Sequence, residues 1–440
     1  MKLLYSLIII GFSVISLHAQ ETIDVDFVRA SQELEEVSFE EEDSSYDIII
    51  ASDQTDFYFP PQWKKDTRKP VAYVSGRRPK ITAKFKNCEA TFWVKGMRDG
   101  ILYLPPLEVI LNGSTAIYGP AIANQAFEPS KVQYFQNFDI EWKICNTNSS
   151  NEEDWELIET SYNNLYVTHD IPASEQGLFG PTSVYHTSLH LGCVNANGLS
   201  GESEIVSNMY TPFLEFDVRR TSDNLLLTYY SNRATVTRCN TLQLLLESVD
   251  GDGRCGAFAM LFDDMIKVQG ISGSRCRGMT VAGPVGINGF VALSSAALDK
   301  IRVNAETFFG INDVMIDYEL YHFLVKEWDN TTEGTFIPLS GDSYESAKSD
   351  PGALGVRGQG NVDDPRSIFL NHAIVTYDNE LFDPSYGKKY NHQDLALYED
   401  EAITVVSGTI IHRVINGEMN YFFWVDKENT INLKELQFYD

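Results

Sequence analysis

Cysteine is scarce. There are 6 in 440 residues, with no C-x-x-C pair and no tight Cys/His cluster. That excludes a disulfide-built scaffold and a structural zinc module. Positive charge is scarce too: Lys and Arg number 34 against 62 Asp and Glu, for a net charge of -28. A surface this acidic repels phosphate backbones, so no nucleic acid is expected as a partner. Beyond the first residues no run of about 18 apolar residues occurs, so no transmembrane span is expected in the mature chain. There is no internal repeat. The stretch Asp250–Gly253 (DGDG) lacks the later acidic ligands of a calcium loop. His186 and His190 lack an acidic third ligand, and their placement on a helix is not marked. Hence no metal and no cofactor is expected.

What is present can build a substantial core. Hydrophobic residues make up 43% and aromatics 12%, and the length suits two or three domains. Residues 1–19 fit a signal peptide: Lys2, an apolar stretch from Leu3 to Leu17, then Ala19 before the cut. The run is short for an anchor and no basic stop follows. No cysteine follows the cut, which argues against a lipoprotein. The expected location is secreted or periplasmic. Residues 20–69 read as an acidic, irregular leader or linker, and the acids of Glu33–Asp43 read as solvated.

From about Val71 short segments alternate with period two, as in ITAKF, ATFWVKG and FDIEWKI, with turn residues between them. This predicts an antiparallel β-sandwich of immunoglobulin-like size over residues 70–172. Trp93, Trp142 and Trp155 are expected in its core. Residues 173–238 read as a connector. Residues 239–440 put helices first and strands after, predicting an α+β domain, with a short helix around Ser343–Lys348. Sequons at Asn112, Asn148 and Asn330 mark surface loops.

The stretch GDGRCGAFAMLFDDMIKVQGI, Gly251 to Ile271, poses the chemical question. Phe258, Leu261, Phe262, Met265 and Ile266 follow helical spacing, and Gly270 suits a C-terminal stop. Cys255 opens that helix. Three readings are open: half of a disulfide, a core residue, or a nucleophile. Burial disfavours a thiolate. Free backbone N–H groups at a helix start favour it.

A base stands in SIFLNHAIVTYDNELFDPSYG. Ile368, Leu370, His372 and Ile374 alternate onto one face of a strand. If Asp378-Asn379 forms a two-residue hairpin loop, Tyr377 pairs with Glu380 and Ile374 with Asp383. Asp383 then shares the face of His372 on the diagonal. A slip of one residue would reverse this. In that register Asp383 orients His372, which activates Cys255, the logic of a nucleophile, base and orienter. His392 and His412 are alternative bases without a carboxylate as well placed.

Together these pieces resemble the transglutaminase-like superfamily of papain-like fold, over about Thr241 to Tyr390. The resemblance implies Cys255 as nucleophile, His372 as base and Asp383 as orienter. It implies a secreted acyl-transfer enzyme that attacks a carboxamide of a protein or peptide through a thioester. A bacterial-type peptidase or amidase is expected ahead of a transglutaminase. The alternative is a catalytically inactive adhesion or assembly module of the same fold. The β-sandwich is then the part expected to meet a cell-surface protein or glycan. Two departures stand out: an insertion over about 278–364, and Gly256 after the cysteine where many members carry something larger. The Cys255 N–H is expected to donate to an oxyanion, with Gln243 or Trp424 as candidates for a second donor.

Overall fold

The computed structural model describes residues 32–42, 48–51, 53, 57–58, 62–64, 69–173, 183–231, 239–281, 290–291, 315–325, 336–339, 346–348, 357–362, 366–369, 371–391, 397–398, 403–415, 418–431 and 436–439. The signal peptide expected at 1–19 lies outside them. The chain is mixed α/β, mostly strand, with several sheets. It forms two compact units. One comprises Phe57–Val184 with residues up to Ala51 and Asn197–Ser200. The other comprises Gly201–Asp440 with Ser52–Asp56 and Tyr185–Ala196.

In the first unit ten strands make two five-stranded sheets. They are β1 (Glu33–Glu41), β2 (Gln62–Lys64), β3 (Val71–Val74), β4 (Pro79–Lys86), β5 (Trp93–Arg98), β6 (Ile101–Glu108), β7 (Ile110–Asn112), β8 (Thr115–Ile122), β9 (Gln133–Cys145) and β10 (Glu156–Thr168). One sheet runs β2-β1-β4-β8-β7 and the other β3-β10-β9-β5-β6. The ladders are antiparallel except β3 on β10, which is parallel. Alternation sets the faces: in β4, Ile81, Ala83 and Phe85 are buried while Lys80, Thr82, Lys84 and Lys86 are not. Both sheets contribute to one core. Trp142 lies at its centre, edge-on to Phe85 and Tyr118, and its Nε1 donates to Ser161 Oγ at 2.9 Å. Trp155 is also buried, whereas Trp93 is only half-buried.

The acidic stretch read as an irregular leader contains β1. Leu34, Val37 and Phe39 are buried in the core. Its acids face lysines of the neighbouring strand: Glu33 with Lys86, Glu35 with Lys84 and Glu40 with Lys80, all within 2.8 Å. A bulge between Leu34 and Glu36 breaks the strict two-residue period, which hides the strand in the sequence.

In the second unit the residues read as a connector form helices: α1 (His186–Asn195) and α2 (Glu202–Met209). Buried Asp53 ties down the start of α1, accepting the Thr187 N–H at 3.2 Å and the Thr187 hydroxyl at 2.8 Å. Next come β11 (Thr228–Tyr229), α3 (Leu242–Glu247), β12 (Asp252–Gly253), α4 (Cys255–Val268) and β13 (Arg275–Val281). The antiparallel sheet that carries the site is completed by β14 (Asn371–Tyr377), β15 (Glu380–Asp383), β16 (Lys388–Asn391) and β17 (Leu436–Tyr439), in the order β16-β15-β14-β13-β17.

Helix α4 packs on β14 and β13, with α1 against it. Its stripe Phe258, Leu261, Phe262, Met265 and Ile266 is fully buried, and Phe262 meets Tyr210 and Phe382 at ring separations of 4.8 and 5.0 Å. The helix ends on Gly270, whose φ of 73° is easy only for glycine. The Gly270 and Ile271 N–H groups return to the Lys267 and Ile266 carbonyls, closing a Schellman motif.

Two expectations are corrected. Ser346–Lys348 is a strand, not a helix. It pairs with Arg366–Phe369, and pairing across a sheet overrides a weak local helical pattern. The run Ile368 to Ile374 is not one strand. Arg366–Phe369 joins a second, seven-stranded sheet, while Asn371–Tyr377 lies in the site sheet. Leu370 falls outside the described residues. The insertion is also woven into the fold: Met315–Val325 pairs along Ile403–Ile415. No helix among the described residues is long and apolar enough to cross a membrane.

Candidate active site

Cys255 is the first residue of α4, and Arg254 is an N-cap without a side-chain bond. The turn before it is clamped. Thr228 and Tyr229 pair in parallel with Asp252 and Gly253, and the Arg254 N–H donates to the Cys239 carbonyl at 2.8 Å. Asp252 is buried and accepts the Thr228 hydroxyl at 2.9 Å and the Ser231 N–H at 2.8 Å. The aspartate of DGDG therefore holds the backbone that presents the helix start. Gly256 answers to a close approach: a Cβ there would stand 3.1 Å from the Asn240 carbonyl oxygen and 3.2 Å from its Oδ1. All six cysteines are free thiols, so the disulfide reading of Cys255 does not hold. Cys255 is half-buried.

His372 lies in β14 and Asp383 at the end of β15, both fully buried. Asp378 and Asn379 form a two-residue loop with φ of 43° and 60°, the backbone of a type I′ hairpin turn. Tyr377 stands opposite Glu380, Thr376 opposite Leu381 and Val375 opposite Phe382. That register brings the imidazole and carboxylate together, with His372 Nε2 at 2.8 Å from Asp383 Oδ2. The Ser385 N–H donates to Oδ1 at 3.2 Å, and the Tyr398 hydroxyl to Oδ2 at 2.7 Å.

The electrostatics join the third residue to this pair. Burial is the largest influence on His372 and pushes it down. The charge and hydrogen bond of Asp383, then the hydrogen bond and charge of Cys255, outweigh it and raise the imidazole to about 10. Nε2 is committed to Asp383, and Nδ1 is the other polar edge of the ring. A cationic ring is thus favoured between the two side chains.

Aromatic rings close the surroundings. Tyr386 lies 5.6 Å from the His372 ring, and Tyr229 lies 5.2 Å from Tyr386. Burial pushes both phenols well above their ordinary value. They stay neutral and exclude water from the pair.

The remaining sequence candidates fall elsewhere. Gln243 is exposed and donates to Glu247 Oε1 at 2.9 Å. Trp424 and His412 lie on strands of the seven-stranded sheet. His392 is outside the described residues. His186 and His190 do lie one turn apart on α1; burial, then the His190 charge, push His186 down to about 4. Among the described residues no group of three His, Cys, Asp or Glu is placed to hold a metal ion. Sequence reasoning missed Tyr398, Tyr229 and Asn240. No spacing marks them, because each reaches the site through tertiary packing. Tyr386 was within reach as the end of the quoted FDPSY.

Neither a family model, nor a curated protein, nor a solved structure matches this chain.

Proposed function

We propose that this chain is a cysteine-dependent acyl-transfer enzyme with Cys255 as nucleophile, His372 as general base and acid, and Asp383 as orienter. The observation that carries the reading is the His372–Asp383 bond at 2.8 Å, beside a thiol at the start of α4 that acts on the imidazole electrostatically. A cysteine at a helix N-terminus, a histidine on a strand and an aspartate on the adjacent strand is the resemblance to the transglutaminase-like, papain-like fold. The two-sheet unit is read beside it as an immunoglobulin-like module of an exported protein.

In the reaction the Cys255 sulfur attacks the carbonyl carbon of a carboxamide and an S–C bond forms. The carbonyl oxygen takes the negative charge and receives the Cys255 backbone N–H. His372, cationic between sulfur and carboxylate, gives its proton to the leaving nitrogen as the C–N bond breaks. The product is a thioester and an amine. Water or a second amine, deprotonated by His372, then attacks the thioester and restores the thiol. Hydrolysis makes a peptidase or amidase, favoured here, and amine attack makes a transglutaminase.

A second reading is a binding module that has lost turnover. It is favoured by two open cavities, of about 660 and 320 Å³, that none of the three residues lines. The test incubates the chain with a glutamine- and asparagine-rich peptide mixture and a tagged primary amine. Peptide fragments, or ammonia released without tag incorporation, that are lost in Cys255→Ala support a hydrolase, and tag incorporation supports a transferase. Neither product from a protein with a reactive Cys255 supports the binding module.

A further inference from the structure

Asp383 binds more than an orienter needs. Its Oδ2 accepts two hydrogen bonds, from His372 Nε2 at 2.8 Å and from the Tyr398 hydroxyl at 2.7 Å, while Oδ1 accepts the Ser385 N–H at 3.2 Å. Tyr398 is fully buried, with its ring 5.1 Å from Tyr390. The phenol and the imidazole therefore share the negative charge of one oxygen, in a place where water does not replace either donor. Such charge-assisted bonds are short and strong.

We propose that Tyr398 is a positioning residue of this site, fixing Asp383 Oδ2 against His372 and drawing off part of its charge, so that the phenol sets how firmly His372 holds its proton. This rests on the reading of Cys255 as nucleophile and His372 as base. The other groups around the pair do not supply the same control. From α4 it is Cys255 that acts on the imidazole electrostatically. On β13 the residue opposite His372 is Met279, and Arg277 and Cys276 stand opposite Ile374 and Val375. Tyr210 gives its hydroxyl proton to the Lys388 carbonyl at 2.7 Å, and Tyr386 and Tyr229 share a contact of 3.5 Å. Burial first, then the Asp383 charge, push the Tyr398 phenol well above its ordinary value, so it remains a donor while His372 titrates.

The sign follows from competition for one oxygen. Removing the phenol proton returns charge to Oδ2 and favours the imidazolium. A stronger phenol donor does the reverse. The readout is the rate of Cys255 alkylation by iodoacetate divided by that by iodoacetamide, followed by peptide mapping across pH. The anionic reagent gains from a charged imidazole beside the sulfur and loses that gain when the ring deprotonates, so the midpoint of the ratio reports His372.

Tyr398→Phe is expected to move the midpoint up by about half a unit to one unit. Incorporation of 3,5-difluorotyrosine at position 398 keeps the donor, strengthens it, and is expected to move the midpoint down. If Tyr398→Phe does not fold, the fluorinated chain carries the test alone. A step in the wild-type chain that the folded variants leave unmoved, or move in the same direction, overturns the role of Tyr398 alone. A wild-type Cys255 that alkylates like a free model thiol, with no step in the ratio, overturns the nucleophile reading and this inference with it.

Discussion

Replacing Asp383 with Asn removes the charge that holds His372 protonated while nearly preserving shape. The comparison is cleanest in a Cys255→Ser background, where the carboxylate alone opposes burial of the ring. With Asp383 present, the folded imidazole binds its proton more tightly than the unfolded one, whose ordinary value is 6.5. The resulting stability is complete below about pH 6.5 and is lost as pH rises through the raised folded value. One proton corresponds to a slope of up to about 1.4 kcal/mol per pH unit. In the Asp383→Asn variant only burial remains, which depresses the folded value. Stability from His372 is then present above about pH 6.5 and lost as pH falls.

The advantage of Cys255→Ser over Cys255→Ser/Asp383→Asn should therefore shrink by up to about 4 kcal/mol between pH 6.5 and 9.5. Urea unfolding, followed through hydrogen-exchange protection of the α4 amides, reads the unit that matters and avoids assuming one transition for two units. A difference that stays constant within about 0.5 kcal/mol over that range, with both chains compared at one urea concentration so that no long extrapolation enters, refutes the charge coupling.

Three further outcomes test other links. Phe39→Ala should cost the first unit about 3–5 kcal/mol in chemical denaturation, because the side chain is buried in the shared core. Replacing Lys80, Lys84 and Lys86 with Gln should cost less than about 1 kcal/mol for each exposed pair; a larger loss would mean that charge, not burial, docks β1. Gly256→Val forces a Cβ to 3.1 Å from the Asn240 carbonyl and should cost about 1–3 kcal/mol. It should also slow alkylation of Cys255, whereas unchanged stability and rate would show that the turn yields freely.

The elements that position the site were legible where local chemistry is strong. The buried stripe of α4, its Gly270 stop and the Asp378-Asn379 turn each have a local cause, and the turn alone determines the pairing that brings Asp383 to His372. β1 was illegible because its bulge breaks the period, so its acids read as a solvated run rather than one edge of a Glu/Lys ladder. Ser346–Lys348 and Arg366–Phe369 were misread because partner strands distant in sequence determine them. Within the site, the three residues of the proposed triad carry their chemistry in their side chains and could be named. Tyr398 and Asn240 carry nothing distinctive until the fold sets a phenol on the carboxylate and a carbonyl against Gly256.

The central claim is that His372 makes Cys255 a nucleophile. Its most direct test is the rate at which a neutral thiol-directed electrophile labels each of the six cysteines at pH 6 to 7, in the wild-type chain and in His372→Ala. Labelling of Cys255 at least about ten times faster than of the other five, falling to the rate of an ordinary thiol in His372→Ala, is the predicted result. Labelling of Cys255 no faster than a model thiol, or at a rate indifferent to His372, would contradict it.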